Sequence, residues 1–211
     1  MTSIQKCSWI LVALLGASGA MAQQRLGSVP ADKLTDAQKK VIEDVKVGPR
    51  AELFSPLLPM LRSPELAYTA ERFGEYVYYK NEFDKPIYEL IVLLLGRHTS
   101  QQFEWRVHYP LAIKAGVKQA DVDAIAAGKK PKTLTEDQQI AYDFVTEVLK
   151  TSAVGDKNYD RFVKKFGERA VVDTVGILGY YYTIALMLSV DRTPVKDSPV
   201  PLLKPLRNPL P

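Results

Sequence analysis

The chain has 211 residues, 46% of them apolar, with one cysteine, two histidines and a formal net charge of +4. That charge is small and evenly spread, which argues against a nucleic-acid surface, and the lone Cys7 leaves no disulfide or cysteine-based metal site to build. The length fits one domain with a sizeable core.

The first 22 residues, MTSIQKCSWILVALLGASGAMA, have the make-up of an export signal: Lys6 near the start, an apolar run from Trp9 to Leu15, and Ala20-Met21-Ala22 at the end. The run is shorter than the roughly 20 residues that cross a bilayer. Cleavage after Ala22 is expected, giving a periplasmic or secreted protein that starts at Gln23, carries a net charge of +3 and has no thiol. Cys7 precedes the apolar run instead of following it, which argues against a lipid anchor.

After a short segment over residues 23–34, the pattern is helical from 35 to 192, so the fold class expected is all-α, a single helical domain. Thr35-Asp36-Ala37-Gln38 is a capping-box start, and Val41, Ile42 and Val45 make one apolar face. Ser63-Pro64-Glu65 opens a helix through about Tyr79, with Ser63 as cap. Asp84-Lys85-Pro86 opens a third through IYELIVLLLGRH. Ser100 is expected to cap the next, which ends at Gly116. Shorter helices follow near 120–127, from Glu136 to Lys150 behind a second capping box at Thr135, and from Asp156.

The last helix is expected over 168–190. Its stretch VVDTVGILGYYYTIALMLSV is apolar enough to raise a membrane question, but Asp173 and two glycines favour a buried central helix, so no stable membrane span is expected once the signal is gone. Residues 193–211 carry six prolines, which deny the tail a helix. It reads either as a disordered end or as an arm that buries Val200, Leu202, Leu203 and Leu206 on a neighbouring subunit.

The candidate chemistry lies in the middle. Glu104 and His108 are one turn apart on one helical face. Folding the helix of Pro86 to His98 back about the 98–100 connection brings Glu89 beside positions 108 to 110. Glu89 interrupts the apolar run IYELIVLLL, and a carboxylate there needs a partner, since stranding even a neutral polar group costs roughly 2–7 kcal/mol. A structural ion pair is the bland alternative. Two carboxylates and one imidazole are a possible ligand set, but a single histidine without a second motif argues against zinc or iron.

The segment ELIVLLLGRHTSQQFEWRVHYPLAIKAGV resembles the central motif of the carboxymuconolactone decarboxylase and alkylhydroperoxidase-like superfamily, and a looser likeness extends over residues 35 to 192. The peroxidase branch of that family has a Cys-x-x-Cys pair where this chain has Gln101 and Glu104, so disulfide-based peroxide reduction is not implied. The decarboxylase branch has a glutamate four residues before the histidine, as Glu104 and His108 do. The resemblance implies an oligomeric helical protein without metal or organic cofactor.

Under that resemblance His108 is the expected proton donor or shuttle, Glu89 its orienting partner, and Glu104 either a relay member or a hydrogen-bond donor to substrate. Arg97 or Arg106 is the candidate partner of a substrate carboxylate, with Trp105 and Tyr181 as candidate walls, although both aromatics also suit a core or subunit interface. His98 reads as a cap for the carbonyls of its own helix. Two function classes follow: a cofactor-independent lyase (decarboxylase) or isomerase acting on a small carboxylated lactone or related ring acid, and a non-catalytic exported helical oligomer that binds a small molecule or a protein.

Overall fold

The computed structural model describes residues 23–204 apart from Arg50, Glu52, Phe54 and Lys196, and for Ser55 the backbone alone. The proposed signal, Cys7 and Leu206 lie outside the described residues. The chain is all-helical, with eight α-helices and two short 3-10 helices among the described residues: Ala31–Lys33, α1 (Asp36–Lys46), Ser55–Arg62, α2 (Pro64–Tyr79), α3 (Lys85–His98), α4 (Gln102–Ala115), α5 (Gln119–Ala126), α6 (Glu136–Thr151), α7 (Asp156–Phe166) and α8 (Glu168–Asp191).

α3 is the axis of the bundle. Every residue from Ile87 to Arg97 is buried, so this helix has no solvent face, and α4, α5, α6 and α8 pack around it. Each large aliphatic side chain buried there stabilises the fold by about 1.5–3 kcal/mol. α8 closes another side through Ile177, Tyr180, Tyr181, Ile184 and Leu188. Gly74 of α2 permits its approach, because a Cβ at that position would collide with the ring and hydroxyl of Tyr180. Phe83, Phe144, Phe162 and Phe166 form an aromatic cluster that seats α7.

Both capping boxes form: Thr35 accepts from Gln38 N and Thr135 from Gln138 N, and each glutamine returns the bond to its cap's backbone. Asp84 likewise accepts from Ile87 N. Two expected caps do not form. Ser63 precedes α2 without a side-chain bond, leaving Pro64, which has no N–H to satisfy, to start the helix. Ser100 ends α3 instead of starting α4: its backbone is left-handed, at φ 52°, and the N–H of Gln101 reaches back to Gly96 O while that of Ser100 reaches Arg97 O. α4 is capped by the Gln101 side chain, which accepts from Phe103 N. Gly116, at φ 106°, ends α4.

α8 is long and apolar enough to cross a membrane, yet half of its apolar window is buried inside the domain and its Asp173 accepts from Tyr76 Oη and Glu82 N. Its outer face carries an exposed apolar stripe of Val172, Val175, Tyr182, Leu186 and Val190. Residues 24–27 are pinned to the end of this helix, where Asp191 accepts from Gln24 Nε2, Leu26 N and Gly27 N. The described part of the tail packs on its own domain. Val200 and Leu203 are buried while Leu202 stays exposed, the Gln102 side chain exchanges two hydrogen bonds with the backbone of Leu203, and Arg97 donates to Lys204 O.

Candidate functional site

The short α3–α4 connection makes the two helices antiparallel neighbours, and this sets Glu89 against His108. Glu89 Oε2 lies 2.7 Å from His108 Nδ1, and Glu104 Oε2 lies 3.4 Å from Nε2, so one imidazole is held between two carboxylates. All three residues are buried, with exposures of 2% for Glu89, 5% for Glu104 and 4% for His108. Tyr181 of α8 stands edge-on to the imidazole with ring centroids 5.1 Å apart, and its hydroxyl is 2.6 Å from that of Tyr88.

Burial pushes the His108 pKa down, but hydrogen bonds and charge from Glu104 and Glu89 outweigh it and raise the value to about 9. The ring is therefore an imidazolium at neutral pH, a proton source flanked by two acceptors. Burial first, and then the neighbouring Tyr88 and Glu104 charges, raise the Tyr181 phenol well above its ordinary range. It stays protonated and offers a hydroxyl.

Of the three, Glu104 borders a crevice and His108 does not. Glu104 and Tyr181 border a narrow crevice together with Val92, Leu95, Gly96, Thr99 and Ala185, and the crevice is too tight for a water molecule. Beside it, sharing Thr99 and Ala185, lies an open cleft of about 160 Å³ lined also by His98, Tyr182, Leu186 and Ser189. Among the described residues no cluster of three or more histidine, cysteine or carboxylate side chains is arranged to hold a metal ion.

The remaining candidates disperse. Arg97 is not available to a substrate carboxylate: it is 1% exposed, and its guanidinium donates to Ala126 O, Lys204 O and Ser100 Oγ. Trp105 is a core residue set edge-on to Tyr109, and neither Trp105 nor Arg106 borders the crevice or the cleft. His98 does not cap α3. The last carbonyls of that helix are taken by the N–H groups of Thr99, Ser100 and Gln101 and by the Thr99 hydroxyl, while His98 Nδ1 is buried without a hydrogen-bond partner. Sequence reasoning did not find Thr99, Ala185 and Ser189, because nothing in α8 read alone reveals which of its residues meets the α3–α4 turn.

No protein-family profile and no curated protein matches the sequence. Solved structures do share the fold. The debrominase Bmp8, as a variant in complex with 2,3,4-tribromopyrrole, superposes with a TM-score of 0.63 at 10% identity, covering 83% of this chain and 93% of that one. The same debrominase without ligand gives 0.62 at 10% identity, over 81% and 91%. The likeness is one of fold alone.

Proposed function

We propose that this chain is an exported, carboxymuconolactone decarboxylase-like lyase that moves a proton onto a small carboxylated ring acid without a bound cofactor. One observation carries the reading: Glu89, His108 and Glu104 form a buried line of carboxyl, imidazole and carboxyl groups, and its last member borders a crevice. In a decarboxylation the bond from ring carbon to carboxylate breaks, its electron pair moves toward a conjugated carbonyl, and carbon dioxide leaves. The carbon then takes a proton, which His108 supplies through Glu104 while Glu89 holds the ring in register. The bound tribromopyrrole of Bmp8 supports a small flat ring as the kind of ligand this fold accepts. The part of the α8 stripe outside the cleft, Val172, Val175 and Val190, supports burial against a second copy, and light scattering at micromolar concentration should show more than a monomer.

A non-catalytic binding protein is the second reading, favoured by the lack of water-sized space beside Glu104. The two separate on one experiment: ring keto acids and lactone acids are incubated with the protein in deuterium oxide while carbon dioxide release and deuterium uptake at carbon are followed. Turnover that disappears in Glu104→Gln with the fold intact supports the lyase. Binding without turnover or exchange across the panel supports the second reading. Export is tested by intact mass, which should begin at Gln23, one residue before the stretch that Asp191 holds.

A further inference from the structure

The relay described above ends at a crevice that admits no water, so a substrate must dock somewhere adjacent. The open cleft is the space that shares a wall with it, through Thr99 and Ala185. At about 160 Å³ it is well below the roughly 300–1,000 Å³ of drug-sized pockets and suits a single small ring. Tyr182 and Leu186 give it apolar walls. Besides the Tyr182 hydroxyl, its polar groups are His98, Ser189, whose Oγ already accepts from Gln101 Nε2, and Thr99, whose hydroxyl already donates to Leu95 O.

His98 is the unusual member. Its Nδ1 is buried and meets no hydrogen-bond partner, so a proton there would be an unsatisfied buried donor. The favoured neutral tautomer carries its proton on Nε2. Burial lowers the pKa of this imidazole, in keeping with a neutral ring. The arginine expected to meet a substrate carboxylate, Arg97, is buried, with Nη1 and Nη2 donating to backbone carbonyls and Ser100.

We infer that this cleft is the docking site of the ring acid, with the Nε2–H of His98 donating to its carboxylate, the ring lying against Tyr182 and Leu186, and its reacting carbon at the edge where Thr99 and Ala185 join the cleft to the crevice of Glu104. The inference rests on the lyase reading for the class of ligand, and it makes His98 a substrate-binding residue that the motif of Glu89, Glu104 and His108 does not contain.

The test is a titration of isotopically labelled protein with furan-2-carboxylate, and with furan-2-carboxamide as the uncharged control, followed by the ring nitrogen signals of His98 and the amide signals of α8. Tyr182 and Leu186 also belong to the apolar stripe, so the titration is run at one protein concentration with the mass of the species recorded. The acid should shift the His98 ring and the amides of Tyr182 and Ser189, and bind more tightly than the amide. His98→Leu should weaken it about tenfold or more, the scale of one hydrogen bond to a charged group, while His98→Gln, which restores an N–H, should stay within about threefold of the parent. Shifts confined to other surfaces, or equal affinity in His98→Leu and the parent, overturn the inference. Glu104→Gln separates it from the lyase reading: loss of turnover with cleft binding absent sinks the cleft alone, and cleft binding with turnover untouched by Glu104→Gln sinks the relay alone.

Discussion

Asp191 and Glu104 are carboxylates sealed inside the same bundle, and they are satisfied in opposite ways. Asp191 accepts from Leu26 N at 2.6 Å, Gly27 N at 3.0 Å, Gln24 Nε2 at 2.6 Å and Thr193 Oγ1 at 2.6 Å. Glu104 receives no backbone N–H among the described residues; its carboxylate meets the imidazole of His108 at 3.4 Å and borders a crevice. A carboxylate saturated by fixed amides is a clip, because nothing is left for it to give or take. One paired with a titratable ring beside a crevice has a proton to exchange and a direction to send it.

The largest effect that would sharpen this contrast is catalytic. Glu104→Gln keeps the shape and removes the proton-accepting oxygen, so turnover on whichever ring acid proves active should fall by on the order of 10²–10⁴, the range for positioned acid–base groups, with the fold retained and a proportionally smaller loss of stability, because His108 keeps Glu89 as its partner. Equal losses of activity and stability would make Glu104 a structural residue like Asp191. The reverse substitution comes next: Asp191→Asn turns an amide group toward donors that need an acceptor, and should cost about 1–3 kcal/mol in a urea unfolding series, the penalty of leaving a buried polar group unsatisfied.

Acid and base should attack the two sites from opposite sides. Burial alone would raise the Asp191 pKa, but hydrogen bonds from Thr193, Gln24, Gly27 and Leu26 bring it down to about 2, below its unfolded value near 3.9. Its stabilising contribution is therefore complete above pH 4 and is lost as the pH falls toward 2. His108, raised from 6.5 to about 9, contributes fully below pH 6.5 and loses that contribution as the pH rises through 9. Unfolding free energy against pH should fall at both ends, with Asp191→Asn flattening the acid limb and His108→Gln the alkaline one. A variant that flattens the wrong limb breaks the assignment.

Glu89 was legible in the sequence because a carboxylate inside IYELIVLLL needs an explanation and a short turn fixes what lies opposite it. Asp191 was not. Its donors are backbone amides of residues 24–27, far away in the chain and carried by no side-chain signal. Arg97 misled for a related reason: an arginine near a helix end is ordinarily exposed, and the carbonyls that take up this one come from the end of α5 and from the tail folding back over it. Periodicity reported which face of each helix is apolar, but not which segment would come to lie on the remaining polar groups.

The smallest prediction concerns Ser100, whose sequence pattern suits a cap of α4. Serine is a good N-cap, so the inference was sound locally, but the turn uses its backbone to end α3 at a φ of 52°. Holding a non-glycine residue there costs about 1 kcal/mol relative to glycine. Its Oγ repays some of this by accepting from the buried guanidinium of Arg97 at 2.9 Å. Ser100→Gly relieves the backbone but loses that acceptor and gains freedom in the unfolded chain, so the terms nearly cancel and stability should fall by about 1 kcal/mol or less. Ser100→Ala loses the acceptor and keeps the strain, and should be the worse of the two. Urea midpoints in the opposite order would mean that Ser100 is not strained and that Arg97 is held by the carbonyls of Ala126 and Lys204 alone.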